Sequence, residues 1–232
     1  MSPKLTLHQG SKGYRFSRDS FLLADFFRFE GVKSILDLGA GAGAVSIPIG
    51  FYNSRIDITA LEINFELAKQ ARINASESGL KNYRVVVGDI LCATETFGGK
   101  VFDAIVCNPP YKKAGSGRLG HDIAKAMARH EVNIRLGDII EVSSRLLRDG
   151  GSLSITMTYE RREEYKMFLA RNGFFEVRLR EVKATAESEP YIFLSEAFYG
   201  AKRRLEAPPP LVLRSSGGGD SEEYNLISSR YG

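Results

Sequence analysis

The segment Ser34-Ile35-Leu36-Asp37-Leu38, running into Gly39-Ala40-Gly41-Ala42-Gly43, constrains the fold more than any other stretch of this chain. The apolar run reads as a buried strand, the spaced glycines as a loop, and the residues after them as a helix. Glycines let the backbone approach a ligand closely, and the following helix N-terminus offers free N–H groups. A unit of this kind belongs in a doubly wound sheet, where ligands sit beyond the carboxyl ends of parallel strands. The loop therefore points to a nucleotide-like cofactor without choosing one.

The rest of the chain alternates in the same way. An amphipathic helix is expected from Arg18 to Phe29, with Asp19 or Ser20 near its start and Gly31 after it. Beyond the glycine loop come a helix to about Phe51, a strand Ile56 to Leu61, a helix from Phe65 to Ser78 stopped at Gly79, and a strand Tyr83 to Val87. Gly98-Gly99 then turns into the apolar run Phe102 to Cys107. Later come helical sequence to Arg148 ended by Asp149-Gly150-Gly151, a strand Ser152 to Thr158, a helix Glu160 to Arg171, and β-rich stretches Phe174 to Val182 and Tyr191 to Tyr199. The pattern predicts an α/β fold, a doubly wound, mostly parallel, seven-stranded sheet with helices on both faces, over residues 1–206. Residues 207–232 read as a tail: Ala207-Pro208-Pro209-Pro210, a short strand from Leu211 to Arg214, a Ser/Gly turn and a small terminal helix, with disorder as the competing reading.

Three further positions fall at strand ends. Glu62 closes its strand at the distance from the glycine loop where an acid can grip ribose hydroxyls, as well as being readable as a solvated carboxylate. The loop scanned as Gly39-x-Gly41-x-x-Ala44 fits nicotinamide cofactors and S-adenosylmethionine alike. Gly88-Asp89-Ile90 puts a second carboxylate on the same sheet edge, where it can accept from an adenine amino group. Asn108-Pro109-Pro110-Tyr111 then follows the Cys107 strand. The Asn108 side-chain carbonyl and the Pro109 main-chain carbonyl can together accept both hydrogens of an exocyclic NH2. Prolines fix the backbone and remove competing donors. Tyr111 offers a face for a flat base, worth ~1–3 kcal/mol per base stacked. A Pro-Pro turn with Tyr111 capping the core would use the same residues.

Asp37 with its glycines, Glu62, Asp89 and Asn108-Pro109-Pro110-Tyr111, in that order on successive strand ends, resemble the class I S-adenosylmethionine-dependent methyltransferases with an amino-group target. Added to these are Gly13-Tyr14-Arg15-Phe16-Ser17-Arg18-Asp19-Ser20-Phe21-Leu22-Leu23-Ala24, Ala128-Arg129-His130-Glu131 and the triple-proline, strand, acidic-Tyr tail. Together they resemble the bacterial family that methylates N6 of the adenine beside the anticodon of a valine tRNA. The resemblance implies a site in which Asn108, Pro109, Pro110 and Tyr111 carry the chemistry. It also implies that Phe16, Ser17, Asp19, Asp37, Gly39, Ala40, Gly41, Gly43, Glu62, Ile63, Asp89, Ile90 and Asn108 hold S-adenosylmethionine and its product S-adenosylhomocysteine. Phe16 to Asp19 resemble the part of such enzymes that closes over the methionine end.

Lys112, Lys113 and Arg118 flank the pocket motif and can bind phosphates of an RNA, the substrate expected being a tRNA, although solvated surface lysines would look the same. A net charge of +4 permits a polyanionic partner without requiring one. Two cysteines and three scattered histidines make no metal set, so no metal is expected and Cys92 and Cys107 read as buried, reduced thiols. No run approaches ~18 uninterrupted apolar residues and no signal segment opens the chain, so a cytoplasmic protein with no membrane and no obligate protein partner is expected. Alternatives are a ribosomal RNA guanine-N2 methyltransferase, a protein glutamine-N5 methyltransferase, for whose helical domain the segment ahead of the loop is too short, and a non-catalytic cofactor- or RNA-binding module.

Overall fold

A computed structural model describes residues 4–8, 18–109 and 134–231. Helix α1 (Arg18–Phe26) precedes strand β1 (Ser34–Leu38), and α2 (Ser46–Tyr52) and β2 (Asp57–Glu62) follow. Next come α3 (Phe65–Glu77), β3 (Tyr83–Val87), a 3-10 turn (Ile90–Cys92), α4 (Ala93–Phe97) and β4 (Phe102–Cys107). The C-terminal half consists of α5 (Leu136–Leu146), β5 (Leu147–Thr158), α6 (Arg162–Arg171), β6 (Phe174–Lys183), β7 (Pro190–Tyr199), β8 (Leu211–Val212) and α7 (Glu222–Tyr231).

One sheet runs in the order β3-β2-β1-β4-β5-β7-β6-β8. The first five of these strands are parallel, β7 runs against β5 and β6, and β8 lies parallel to β6. The sheet thus has eight strands where seven are expected. The additional strand is the tail, which pairs Leu211 with Val182 and extends the edge with hydrogen bonds from Leu213 N to Lys183 O and Arg214 N to Ala184 O.

Side chains alternate across the strands, so each strand feeds two cores. Leu36, Leu38, Ile105 and Cys107 pack with Ile139, Ile140, Leu153, Ile155 and Tyr165 on the face covered by α4, α5 and α6. Ile35, Ala104 and Val106 pack on the other face with Leu22, Leu23 and Phe26 of α1, Ile49 of α2, and Leu211, Leu213, Tyr224 and Ile227 of the tail.

Several boundaries differ from the pattern, the largest being that β5 begins at Leu147 rather than Ser152 and runs through Gly150 and Gly151. α1 stops at Phe26 rather than Phe29, because Phe27 leaves the helix to pack in the core and Gly31 turns at φ 78. α5 stops at Leu146 rather than Arg148, since Leu147 already pairs with Phe102 and both leucines are fully buried. Of the thiols, Cys107 is buried as expected, whereas Cys92 is exposed on the 3-10 turn. Among the described residues no helix is long and apolar enough to cross a membrane.

Candidate active site

The parallel strands β1, β2, β3 and β4 end on one edge of the sheet, and the glycine loop, Glu62, Asp89 and Asn108 stand there together. The loop is anchored by Gly39 N and Ala40 N, which donate to Leu61 O at 2.9 and 3.0 Å. Gly43 must be glycine: its φ is 87, and an added Cβ would lie 2.4 Å from the Ile47 side chain. Gly41, at φ 56, faces open space and turns its N–H to Glu62 Oε2 at 2.7 Å. The other Glu62 oxygen accepts from Asn64 N at 2.8 Å, and Asn64 in turn caps α3 through Glu66 N and Leu67 N. Glu62 is buried, and desolvation pushes its carboxyl above the ordinary range against these N–H donors.

Asp37 is 1 % exposed, on the α1–α2 face of β1. Burial pushes its carboxyl up to about 7, opposed by hydrogen bonds from Ser46 and reinforced by the charge of Glu62. Its Oδ2 has no hydrogen-bond partner among the described residues. Ser46 also meets the Tyr83 hydroxyl at 2.8 Å. An acid left half-satisfied beside an open glycine loop suits a positively charged ligand group. Asp89 caps the 3-10 turn by accepting from Leu91 N at 2.9 Å, with Ile90 buried beneath it and Ile63 41 % exposed at the neighbouring strand end. The cleft thus offers a buried acid with one unpartnered oxygen, open space above Gly41, the Glu62 carboxylate held by two N–H donors, and apolar walls, which fits an adenosine-bearing cation.

Asn108 follows β4, and its Nδ2 donates to Ser20 Oγ at 2.8 Å. Pro109 is half-buried next to it. Asp19, in the first turn of α1, hydrogen-bonds Tyr191 at the start of β7. Phe16, Ser17, Pro110, Tyr111, Lys112, Lys113 and Arg118 lie outside the described residues. No group of three or more His, Cys, Asp and Glu side chains suited to a metal ion occurs among the described residues.

Two polar residues that sequence reasoning passes over support this edge. Ser20 is the partner of Asn108. Asn74 of α3 is fully buried and saturates its side chain: Nδ2 donates to Ala42 O at 2.9 Å in the glycine loop and to His8 O at 3.2 Å, while Oδ1 accepts from His8 N and Gln70 Nε2, each at 3.0 Å. A polar residue at the helix position where alanines 68, 71 and 75 form the buried stripe was the available signal.

The methyltransferase small domain model matches residues 15–191. A protein of Porphyromonas gingivalis named tRNA1(Val) (adenine(37)-N6)-methyltransferase is 30% identical over 227 residues, covering 94% of this chain and 88% of its own. A protein of the same name from Aliivibrio fischeri is 28% identical over 201 residues, covering 84% of each chain. Among solved structures, one from Agrobacterium tumefaciens, titled a predicted O-methyltransferase, superposes with a TM-score of 0.71 at 21% identity over 91% of this chain and 96% of that one, a likeness of fold.

Proposed function

This chain belongs to the methyltransferase small domain family, and on that premise we propose that it uses S-adenosylmethionine to methylate N6 of an adenine in RNA. The target proposed is the adenine beside the anticodon of a valine tRNA, the one named for the relatives that match over nearly the full length. The observation that carries the reading is Asn108, held at the end of β4 on the strand edge that also presents the glycine loop, Asp37, Glu62 and Asp89.

In this reading the glycine loop, Glu62, Ile63, Asp89 and Ile90 take the adenosine part of the cofactor, and Asp37, Phe16, Ser17 and Asp19 the methionine end. When bound, the cofactor supplies a methyl group made electrophilic by its sulfonium. An adenine N6 is a poor nucleophile because its lone pair is delocalised into the ring. Asn108 Oδ1 and the Pro109 carbonyl accept its two hydrogens, favour a tetrahedral nitrogen and so direct the lone pair. Positioned acceptors of this kind account for the rate, since no strong base is needed to remove a proton that becomes acidic once the nitrogen is substituted. Tyr111 stacks on the base after it leaves the anticodon loop, and Lys112, Lys113 and Arg118 hold phosphates around it.

Nucleoside mass spectrometry of tRNA from cells lacking and re-expressing the gene tests the substrate, with N6-methyladenosine beside the anticodon the expected product. In the purified enzyme Asn108→Ala should cost roughly 2–4 kcal/mol in turnover and leave cofactor affinity near wild type. Appearance of N2-methylguanosine or methylated glutamine instead, with tRNA unchanged, refutes the substrate assignment.

A further inference from the structure

We propose that Tyr83 is a positioning residue for cofactor binding: acting through Ser46, its hydroxyl completes a donor chain that keeps the Asp37 carboxylate charged and so available to the cation of S-adenosylmethionine. The inference rests on the reading of Asp37 as the acid that meets the methionine end of the cofactor.

The chain joins three elements. Tyr83 opens β3, two strands from β1, since it pairs with Ile58 of β2 and Ile58 pairs with Ile35 of β1. Its hydroxyl reaches the glycine loop, where a Cβ on Gly43 would lie 3.0 Å from it. There it meets Ser46 Oγ at 2.8 Å, and Ser46, fully buried in the first turn of α2, hydrogen-bonds Asp37. A hydroxyl has one hydrogen, and an ionised carboxylate can only accept. With Asp37 charged, the Ser46 hydrogen goes to the carboxylate and the Tyr83 hydrogen to Ser46 Oγ, so that each bond polarises the next. With Asp37 neutral that order is no longer required. The chain therefore favours the charged form.

The other surroundings of Asp37 oppose its charge. The strand buries it, Glu62 at the end of β2 repels it, and the Cys107 thiol of β4 is itself buried and pushed up. α2 carries no charged side chain, and α1 meets this face with Leu22, Leu23 and Phe26. No cationic side chain among the described residues acts on Asp37, and its Oδ2 has no partner among them. The hydroxyl chain is thus what holds the site ready for a cation before the cofactor arrives.

The test measures S-adenosylmethionine affinity by calorimetry from pH 5.5 to 8.5 for wild type, Tyr83→Phe, Ser46→Ala and Asp37→Asn, with melting temperature alongside. Binding to wild type should weaken below about pH 7, where Asp37 takes up a proton. Tyr83→Phe should move that onset up by roughly half to one pH unit, less than a direct hydrogen bond to the charge is worth. Its binding should then be about 3- to 10-fold weaker than wild type at pH 6 and within about twofold of it at pH 8.5. Ser46→Ala, which removes the bond to the carboxylate itself, should move the onset by about one to two pH units. A merely structural role for Tyr83 would weaken binding equally at every pH. Independently of any ligand, the carboxyl carbon NMR signal missing from Asp37→Asn should titrate at higher pH in Tyr83→Phe than in wild type. An unmoved carboxyl titration in Tyr83→Phe, or a loss of affinity that does not vary with pH, overturns the role of Tyr83 while Asp37→Asn still binds weakly. Wild-type affinity in Asp37→Asn at pH 8.5 refutes the Asp37 reading, and the role of Tyr83 with it.

Discussion

Asp37 gives the sharpest test of where the cofactor's positive charge sits. Its carboxyl is raised from 3.8 to about 7, chiefly by burial, which corresponds to about 4 kcal/mol between the protonated and ionised folded states. Because the folded value is the higher one, this contribution is fully present below about pH 4 and is lost as pH rises through about 7. Asp37→Asn should abolish that dependence. Relative to wild type the variant should gain stability between pH 4 and 8, offset by roughly 1–3 kcal/mol for a poorly satisfied amide. The net at pH 8 is about 2 kcal/mol, or roughly 4–8 °C in melting temperature for a chain of this size. Cofactor binding should respond in the opposite sense. A cationic group beside the carboxylate lowers its pKa, so binding at pH 6 should release nearly one proton and weaken about tenfold per pH unit below 7. Calorimetry with S-adenosylmethionine in two buffers of different ionisation enthalpy counts that proton directly. Asp37→Asn should bind weakly at pH 8 and release none. Equal proton release by wild type and variant at pH 6, or affinity flat from pH 5.5 to 8, would refute the placement of the cation at Asp37.

Asn74→Ala should destabilise the fold by about 2–4 kcal/mol, because it strips the buried Ala42 carbonyl of its donor and releases His8 from α3. Urea unfolding indistinguishable from wild type would contradict this, and weaker cofactor binding by the same variant would show that the loss reaches the glycine loop. Tyr231→Ala removes the stack on Phe21 and the edge contact with Tyr52 at 5.8 Å, and should cost about 2 kcal/mol. Hydrogen exchange should quicken in the α1 amides, and protection left at the wild-type level would show that α7 does not brace α1.

The features legible in the sequence are those whose physics is local. A short continuous apolar run marks each buried strand, glycines mark the loop that Ile47 would otherwise block, and acids at strand ends mark the ligand edge. Boundaries depart from the local signal where tertiary packing overrides it. Leu147 continues a helical pattern yet is drawn into the sheet opposite Phe102, and Phe27 and Phe29 continue an apolar pattern yet lie beyond the helix, packing in and around the core. Ser20 and Asn74 were illegible for a different reason. Each is an ordinary polar residue in a helix until that helix docks: Asn108 lies 88 positions from Ser20, and Ala42 and His8 lie 32 and 66 from Asn74.

The tail is an intermediate case. Tyr224, Ile227 and Tyr231 fall on one helical face, a stripe that reads as packing, but nothing local says against what. The structure supplies the answer in α1: Tyr231 meets Phe21 and Arg230 pairs with Asp25 at 2.5 Å. The tail contributes no proposed site residue, yet these contacts hold the helix whose first turn carries Ser20, a hydrogen-bond partner of Asn108.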